Sequence, residues 1–132
     1  MGLSFYESSS IDSSNGENML DEIFELVGRI ESEGLREKVN LFLKNPPSDV
    51  DAPALPLEVC PAGAFQHHSY DGGLLQHTLG VTKLSLTLSD LVESLYGGTV
   101  ERDTVLAGAI LHDVMKCYCY EERGEGGYRT SD

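Results

Sequence analysis

The segment between Gly72-Gly73 and Gly97-Gly98 most constrains the fold, because its leucines recur at helical spacing. Apolar residues three or four positions apart lie on one face of an α-helix. We therefore predict one long helix that begins at Gly73 and ends at "YGG" (96–98), since glycine commonly terminates helices. The leucines predicted to line the inner side of this helix are Leu74, Leu75, Leu79, Leu84, Leu88, Leu91 and Leu95.

Helical periodicity also appears on both sides of this segment. One helix is predicted before it, interrupted at Gly34 and continued by a second helix or a kinked extension. This helical stretch ends at Pro46 and Pro47, which cannot supply a helical N–H. A fourth helix is predicted from near Thr99 to Lys116. The residues predicted to face inward from the first and fourth helices are Leu20, Ile23, Phe24, Val27, Ile30, Val105, Leu106, Ala109, Ile110 and Val114. The fold class is therefore all-α, with helices packed around a central site.

The remaining segments have the composition of tails, loops and turns. Residues 1–17 are polar and serine-rich, which predicts a flexible N-terminal tail, so that the domain spans 18–132. The proline-rich segment 45–63 is interpreted as an ordered loop that crosses the domain surface. The C-terminal "YEERGEGGYRTSD" is interpreted as a turn between two short extended pieces.

Composition indicates a single globular domain in a reducing compartment. A chain of 132 residues with 40% hydrophobic content suffices for one core. We find no apolar run long enough to span a membrane and no signal peptide, and we expect a cytoplasmic protein. The three cysteines form no CxxC pair, and Cys117 and Cys119 are interpreted as reduced thiols in a hydrophobic segment.

The net charge of the chain limits the classes of molecule that it can bind. Nine basic against 22 acidic residues give a net charge of −13, which repels nucleic-acid phosphates, so we expect no nucleic-acid partner. A small anionic substrate remains compatible with this charge, because a bound metal ion reverses the local sign. The sequence does not determine the oligomeric state.

Three of the four histidines lie in "HHSYDGGLLQHT" (67–78), and the fourth lies in "LHDVMK". His77 falls in the first turns of the long helix, and His112 and Asp113 fall near the end of the fourth. Adjacent helical residues diverge by about 100°, so the doublet can meet one ion only from a wall that faces a cleft. Lys116 lies one turn beyond Asp113 on that wall. Asp113 interrupts an apolar stretch, so it needs a metal or a cation as partner. The residues alone leave open a purely structural alternative, in which Asp113 pairs with Lys116 and His77 hydrogen-bonds within the core.

"HHSYDGGLLQHT" followed by "DTVLAGAILHDVMK" resembles the first two motifs of the HD superfamily of metal-dependent phosphohydrolases. The resemblance covers about residues 60–120 and implies an HD-type helical bundle. His77 would be the first metal ligand, and His112 with Asp113 would be the doublet of the family. "LREKVNLFLKNPPS" and "HDVMKCYCY" are similar to an archaeal branch that includes a phosphodiesterase of a pterin cyclic phosphate.

This chain departs from the family pattern in two places. Many members have glycine where Met115 stands, so Met115 is expected to narrow the cleft or to fill core space. A further ligand aspartate lies downstream in the family, and Asp132 is a poor candidate for it. We therefore expect the chain to be the N-terminal portion of a longer domain.

The resemblance favours hydrolysis of a small phosphate ester, a nucleotide or a cyclic phosphate. Two imidazoles and a carboxylate suit Fe(II), Mn, Ni or Co better than Mg. Lys116 is predicted to neutralise charge on the phosphoryl oxygens, and His68 to hydrogen-bond the substrate phosphate or to ligate a second metal, with His67 the weaker candidate. Two other classes remain open, namely a binding or regulatory module without catalysis and a non-haem iron oxygenase.

Overall fold

The computed structural model describes residues 13–45, 53–63, 68–122 and 127–130. It confirms a mostly helical architecture, with one short antiparallel hairpin where two extended pieces were predicted. In chain order, the elements are α1 (Ser13–Gly28), α2 (Glu33–Lys44), α3 (Gly73–Tyr96), α4 (Arg102–Leu111), α5 (Lys116–Cys119), β1 (Tyr120–Glu122) and β2 (Tyr128–Thr130). Helix α3 packs against α1 and α4, and α2 packs against α1 and α4.

Helix α1 begins at Ser13, inside the segment 1–17 that was predicted to be a tail, so the predicted boundary is wrong. Residues 1–12 lie outside the described part of the chain. The physical reason for the earlier start is packing. Gly16 is buried, and a Cβ built on it would lie 3.3 Å from the carbonyl oxygen of Glu58. The polar start of the helix is therefore held against the loop 53–63.

The turn between α1 and α2 is fixed from α4. The Asp103 carboxylate accepts the backbone N–H groups of Glu31 at 2.8 Å and Ser32 at 2.7 Å. Ser32 also caps α2, because its hydroxyl accepts the N–H of Leu35 at 3.4 Å. Since the first N–H groups of a helix have no partner inside it, these contacts stabilise the turn and orient α4.

The predicted ends of α3 are confirmed, and both depend on glycine. Gly72 precedes the helix with φ 76° and Gly97 follows it with φ 66°, in the left-handed region that other residues avoid. A Cβ on Gly73 would lie 2.0 Å from the carbonyl oxygen of His68. The first turn of α3 therefore approaches the preceding loop more closely than any side chain would allow.

The predicted inner face of α3 is wrong over its second half. Leu74, Leu75 and Leu79 are buried, but Leu84, Leu88, Leu91 and Leu95 are 45–67% exposed. The buried positions there are Thr82, Leu86 and Ser89. The hydroxyls of Thr82 and Ser89 donate to the carbonyls of Thr78 and Ser85, both at 2.8 Å, so these polar side chains enter the core with a partner.

Helix α4 begins at Arg102 and ends at Leu111, so it is shorter at both ends than the predicted helix from Thr99 to Lys116. After Leu111 the backbone changes to bonds of i→i−3 type. The N–H of Val114 donates to Leu111 at 3.3 Å, and the N–H of Lys116 donates to Asp113 at 2.9 Å. This turn winds more tightly than an α-helix, so the His112–Asp113 doublet lies just after α4 rather than inside it.

Buried apolar residues form two clusters. The first, here called the helix core, contains Ile23, Leu26, Val27, Ile30, Val39, Leu75, Leu79, Leu86, Leu106 and Ile110. The second, here called the loop core, contains Leu55, Cys60, Ala62, Leu74, Cys117 and Tyr128.

The loop 53–63 buries Leu55, Cys60 and Ala62 in the loop core, while Pro53, Ala54 and Pro56 remain exposed at the surface; residues 46–52 lie outside the described part. Its backbone is fixed at two points, because the N–H of Leu55 donates to Cys117 at 3.1 Å and the N–H of Leu74 donates to Cys60 at 2.9 Å. Among the helices in the described ranges, none combines the length and apolar character needed to cross a membrane.

Candidate metal centre

His77 from the second turn of α3 meets His112 and Asp113 from the turn after α4. The Nε2 atoms of the two histidines are 3.2 Å apart, and each lies 3.4 Å from Oδ2 of Asp113. Within the part of the chain that the structure describes, these side chains form the one group of three or more histidine, cysteine or carboxylate ligands close enough to hold an ion. The structure thus brings the three predicted ligands together.

The triangle has the size of one face of a metal site. Ligand atoms about 2.1 Å from a shared ion lie roughly 3.0–3.4 Å from one another in octahedral or tetrahedral geometry. The observed edges of 3.2 and 3.4 Å fall in this range. Two neutral imidazole nitrogens and one carboxylate oxygen are also a donor set that divalent transition metals accept, so the residues fit such an ion.

The orientation of His112 is set by the helix that precedes it. Its Nδ1 lies 2.7 Å from the carbonyl oxygen of Ala109, which can only accept a hydrogen bond, so Nδ1 carries the proton. The lone pair of the neutral ring is then on Nε2, the atom that faces His77 and Asp113. A backbone carbonyl behind a histidine is a common support for metal ligands.

His77 is held in its neutral form. Burial lowers the pKa of His77 below its ordinary value of 6.5, and the neighbouring His112 and Lys116 act in the same direction. Asp113 opposes them by favouring the charged ring. The net direction leaves His77 unprotonated near neutral pH, which is the form that binds a metal.

Asp113 is fixed by Lys116. The Lys116 ammonium donates to Oδ2 of Asp113 at 2.7 Å and to the carbonyl oxygen of Ala62 at 2.5 Å. This pair is the cation–carboxylate contact of the structural alternative, and it coexists with the approach of Asp113 to both histidines. Lys116 therefore ties the turn of the ligand doublet to the loop 53–63.

His68 borders the triangle from the loop before α3. Its ring centroid is 5.7 Å from that of His77, and its backbone has a φ of 57°. The carbonyl of His68 accepts the N–H of Ala62 at 2.9 Å, so Ala62 contacts both His68 and Lys116 through its backbone. Sequence reasoning missed Ala62, because a backbone contact leaves no signal in residue type. His67 lies outside the described residues.

A second support that the sequence did not indicate comes from the hairpin. The buried Tyr128 donates its hydroxyl hydrogen to Asp71, 2.5 Å away, on the turn that leads into α3. Burial, followed by this hydrogen bond, raises the pKa of Tyr128 well above its ordinary value, so the phenol stays protonated. The hairpin thus holds the loop that carries His68.

Met115 and the cysteines near the His112–Asp113 doublet differ in their exposure to solvent. Met115 is 44% exposed, which excludes the second of its two expected roles, the filling of core space. Cys117 is buried in the loop core while Cys119 is exposed. The hydrogen bond with Cys117, followed by burial, raises the pKa of Cys60 far above its ordinary value, so Cys60 remains a thiol.

Comparison with known proteins agrees with this geometry. Residues 74–129 match the HD domain family. The chain is 42% identical over 117 residues to the dihydroneopterin 2',3'-cyclic phosphate phosphodiesterase of Methanocaldococcus jannaschii, covering 86% of this chain and 47% of that protein. It is 31% identical over 102 residues to the 3'-5' exoribonuclease YhaM of Listeria welshimeri, covering 77% of this chain and 29% of that protein. No solved structure matches the chain.

The region that matches the HD domain family contains His77, His112 and Asp113, whose atoms form the triangle. The chain spans about half the length of the archaeal relative. The expected resemblance to the HD superfamily and to its archaeal branch is therefore confirmed. The three candidate ligands thus lie in a region, residues 74–129, that matches the HD domain family, and the chain is similar to the archaeal phosphodiesterase.

Proposed function

We propose that the chain provides the metal-binding part of a phosphohydrolase that acts on a small phosphate ester. One observation carries this proposal, namely the triangle of His77 Nε2, His112 Nε2 and Asp113 Oδ2 with edges of 3.2–3.4 Å. Side chains that only pack or pair do not need to aim three ligand atoms at one point. The relatives, whose names describe phosphodiester cleavage, support the same reaction class.

The three residues would hold a divalent transition metal, with Fe(II), Mn, Ni or Co favoured over Mg because two of the three donors are nitrogens. When bound, such an ion supplies a water molecule of lowered pKa and neutralises negative charge on phosphorus oxygens. Two features of these side chains support the proposal. His112 presents the unprotonated nitrogen, and burial keeps His77 neutral.

Lys116 would contact the substrate in addition to its contact with Asp113. An ammonium group has three N–H donors, and Asp113 and Ala62 accept two of them. The side chain is 30% exposed, so a phosphoryl oxygen can reach the third donor from solvent. A cation at this point offsets the charge that develops on the phosphoryl group during hydrolysis.

His68 would contact the substrate phosphate from the loop that precedes α3. The close contact with Gly73 and the hydrogen bond from Ala62 fix its backbone. Its ring contacts the rings of His77 and Tyr70, with centroids 5.7 and 5.9 Å away. A ring held in this position would hydrogen-bond a phosphate oxygen beside the metal ligands.

The charge of the chain favours a small substrate over a polynucleotide. A net charge of −13 repels a long anion, whereas a single phosphate meets Lys116 and the bound ion at close range. The substrate class would be a cyclic phosphate of a pterin or a nucleotide, as the name of the archaeal relative suggests.

The test combines metal content with hydrolysis. Chelator-treated protein is reloaded separately with Mn, Fe(II), Co, Ni or Mg and assayed on 2',3'-cyclic AMP and on a short RNA. We expect Mn, Fe(II), Co or Ni to bind and to support opening of the cyclic phosphate, with little cleavage of RNA. His112→Ala should lose the metal and the activity while retaining its helical circular dichroism spectrum.

Three outcomes separate the alternatives. Metal content unchanged by His112→Ala would remove that residue from the ligand set and would contradict the proposal. Metal binding without hydrolysis of either substrate would favour a binding or regulatory module. Oxygen consumption by the Fe(II)-loaded protein, absent with Mn, would favour an oxygenase.

A further inference from the structure

The loop that leads into α3 carries an aromatic side chain, Tyr70, that takes no part in the chemistry proposed above. Tyr70 lies two residues after His68, and the centroids of the two rings are 5.9 Å apart. The ring of His68 lies 5.7 Å from that of His77, and the ring of His77 lies 5.3 Å from that of His112. These side chains therefore form a continuous series of ring contacts that begins at Tyr70 and ends at two candidate metal ligands.

The position of Tyr70 is fixed at its backbone and at its hydroxyl. Its carbonyl oxygen accepts the N–H of Gly73, the first residue of α3, at 2.9 Å. Its hydroxyl donates to the side-chain oxygen of Gln76, the residue that precedes His77 in α3. Because both contacts are made with the helix that carries a metal ligand, the ring of Tyr70 is held in place relative to the candidate metal centre.

The ring of Tyr70 is uncharged and only partly buried. Burial raises the pKa of the Tyr70 phenol above its ordinary value of 10.0, so the side chain stays protonated near neutral pH. An uncharged aromatic ring offers a flat apolar face, against which the planar ring of a ligand stacks. Tyr70 thus suits contact with a ring, whereas Lys116 and the metal ligands suit contact with a phosphate.

We propose, in a step that rests on the proposed function, that Tyr70 determines specificity by stacking on the planar heterocycle of the substrate. The phosphate of that substrate lies at the metal centre beside Lys116 and His68, and Tyr70 lies next to His68. In a cyclic phosphate of a nucleoside or of a pterin, a sugar or a short carbon chain separates phosphorus from the heterocycle. One such molecule therefore places its phosphate at the metal ligands and its ring at Tyr70.

The competing role of Tyr70 is to support the ring of His68. Loss of a support weakens the binding of every phosphate ester, because His68 contacts the phosphate. Loss of a stacking contact weakens only the binding of esters that carry a planar ring. A phosphate ester with a ring and one without a ring therefore distinguish the two roles, and the comparison does not require hydrolysis.

The test measures binding of adenosine 3'-monophosphate and glycerol 2-phosphate to the Mn-loaded chain by calorimetric titration. We expect the adenosine ester to bind more tightly, and Tyr70→Leu to reduce the ratio of the two affinities about tenfold. Tyr70→Phe keeps the ring and should retain most of this ratio. Tyr96→Leu is the matched control, because Tyr96 is 78% exposed at the end of α3, and it should leave the ratio unchanged. A monophosphate of dihydroneopterin, titrated in parallel, shows whether a pterin or a purine gains more affinity from Tyr70.

A second measurement does not depend on the folding of Tyr70→Leu. The chain contains no tryptophan, so Tyr70→Trp introduces a single indole at the proposed stacking position. We expect adenosine 3'-monophosphate to quench the fluorescence of this indole and glycerol 2-phosphate to leave it unchanged.

The possible results separate the stacking contact from the proposed function. An equal loss of affinity for both esters in Tyr70→Leu would make Tyr70 a support of His68 and would overturn the inference. Failure of the adenosine ester to bind, or to quench the indole of Tyr70→Trp, would overturn it as well. A ring-dependent affinity in a chain that hydrolyses no cyclic phosphate would contradict the proposed function and would retain the contact between Tyr70 and the ring.

Discussion

The helix core and the loop core are assembled in different ways. Residues of the helix core repeat at helical spacing within α1, α3 and α4. Residues of the loop core come from the loop 53–63, the start of α3, α5 and β2, and they follow no common period. The first cluster joins the helices to one another, whereas the second holds α5, which begins at Lys116, and the loop that carries His68.

Stability and site geometry therefore depend on separate groups of residues. The helix core buries large side chains such as Ile23, Ile30 and Leu75, each at most 1% exposed. The loop core is smaller, and its members fix backbone positions through bonds such as Leu74 to Cys60. Damage to the helix core should lower stability most, and damage to the loop core should change metal binding as well.

The largest expected effect is that of Ile30→Ala in the helix core. Ile30 is 0% exposed, so truncation leaves a cavity and should lower the free energy of unfolding by about 2–5 kcal/mol. Urea unfolding measures this loss, with the exposed Leu41→Ala as control, expected within about 0.5 kcal/mol of the original. Metal affinity of the folded variant should be unchanged. A tenfold weaker affinity would show that the two cores are coupled.

Lys116→Met should give a smaller loss of stability and a clear loss of metal affinity. The variant keeps the aliphatic stem but removes the contacts with Asp113 and Ala62, so we expect the unfolding free energy to fall by about 1–2 kcal/mol. Loss of a group that positions a ligand typically weakens metal affinity roughly 10–100-fold. Calorimetric titration with Mn measures the metal affinity. The kcat of the metal-loaded variant should also fall, because the contact between Lys116 and the phosphoryl group is lost.

Lys83→Met is the matched control, since Lys83 pairs with Glu22 on the surface and is 58% exposed. It should change neither quantity measurably. If Lys116→Met retained full metal affinity with a lower kcat, Lys116 would act on substrate alone.

Tyr128→Phe tests how the loop core supports the site. The variant removes the hydroxyl that donates to Asp71 at 2.5 Å, so the unfolding free energy should fall by about 1 kcal/mol. Tyr96→Phe serves as control, because Tyr96 is 78% exposed. Hydrogen exchange of the loop 68–72 should increase in Tyr128→Phe only. Unchanged exchange would mean that the hairpin does not hold this loop.

The smallest expected effect is a pH dependence that originates in His77. Its folded pKa is lowered by burial, so the unfolded chain binds more protons as pH falls below 6.5. The free energy of unfolding of metal-free protein should therefore decrease from pH 7.5 to 5.5. His77→Gln should flatten this decrease in urea titrations at the two pH values. If the free energy of unfolding instead rose toward pH 5.5, the pKa of His77 would be raised by folding rather than lowered.

The sequence predicted the ligand set and much of the helical layout from particular residues. Gly73 and Gly97 marked the ends of α3, because their backbone freedom is required there. The His-Asp doublet marked the site, because a carboxylate in an apolar stretch needs a partner. The prediction of the buried face failed in the second half of α3, because the spacing of residues there is compatible with burial of either of two faces.

Residue type and local spacing were enough to predict most of the helical segments and the three candidate metal ligands. The tertiary structure decided which face of α3 is buried, where α4 ends, and how Lys116 reaches the carbonyl of Ala62, 54 residues away. The physical reason is that a local pattern gives each segment its period, whereas the neighbours packed against that segment select its buried face and direct its side chains.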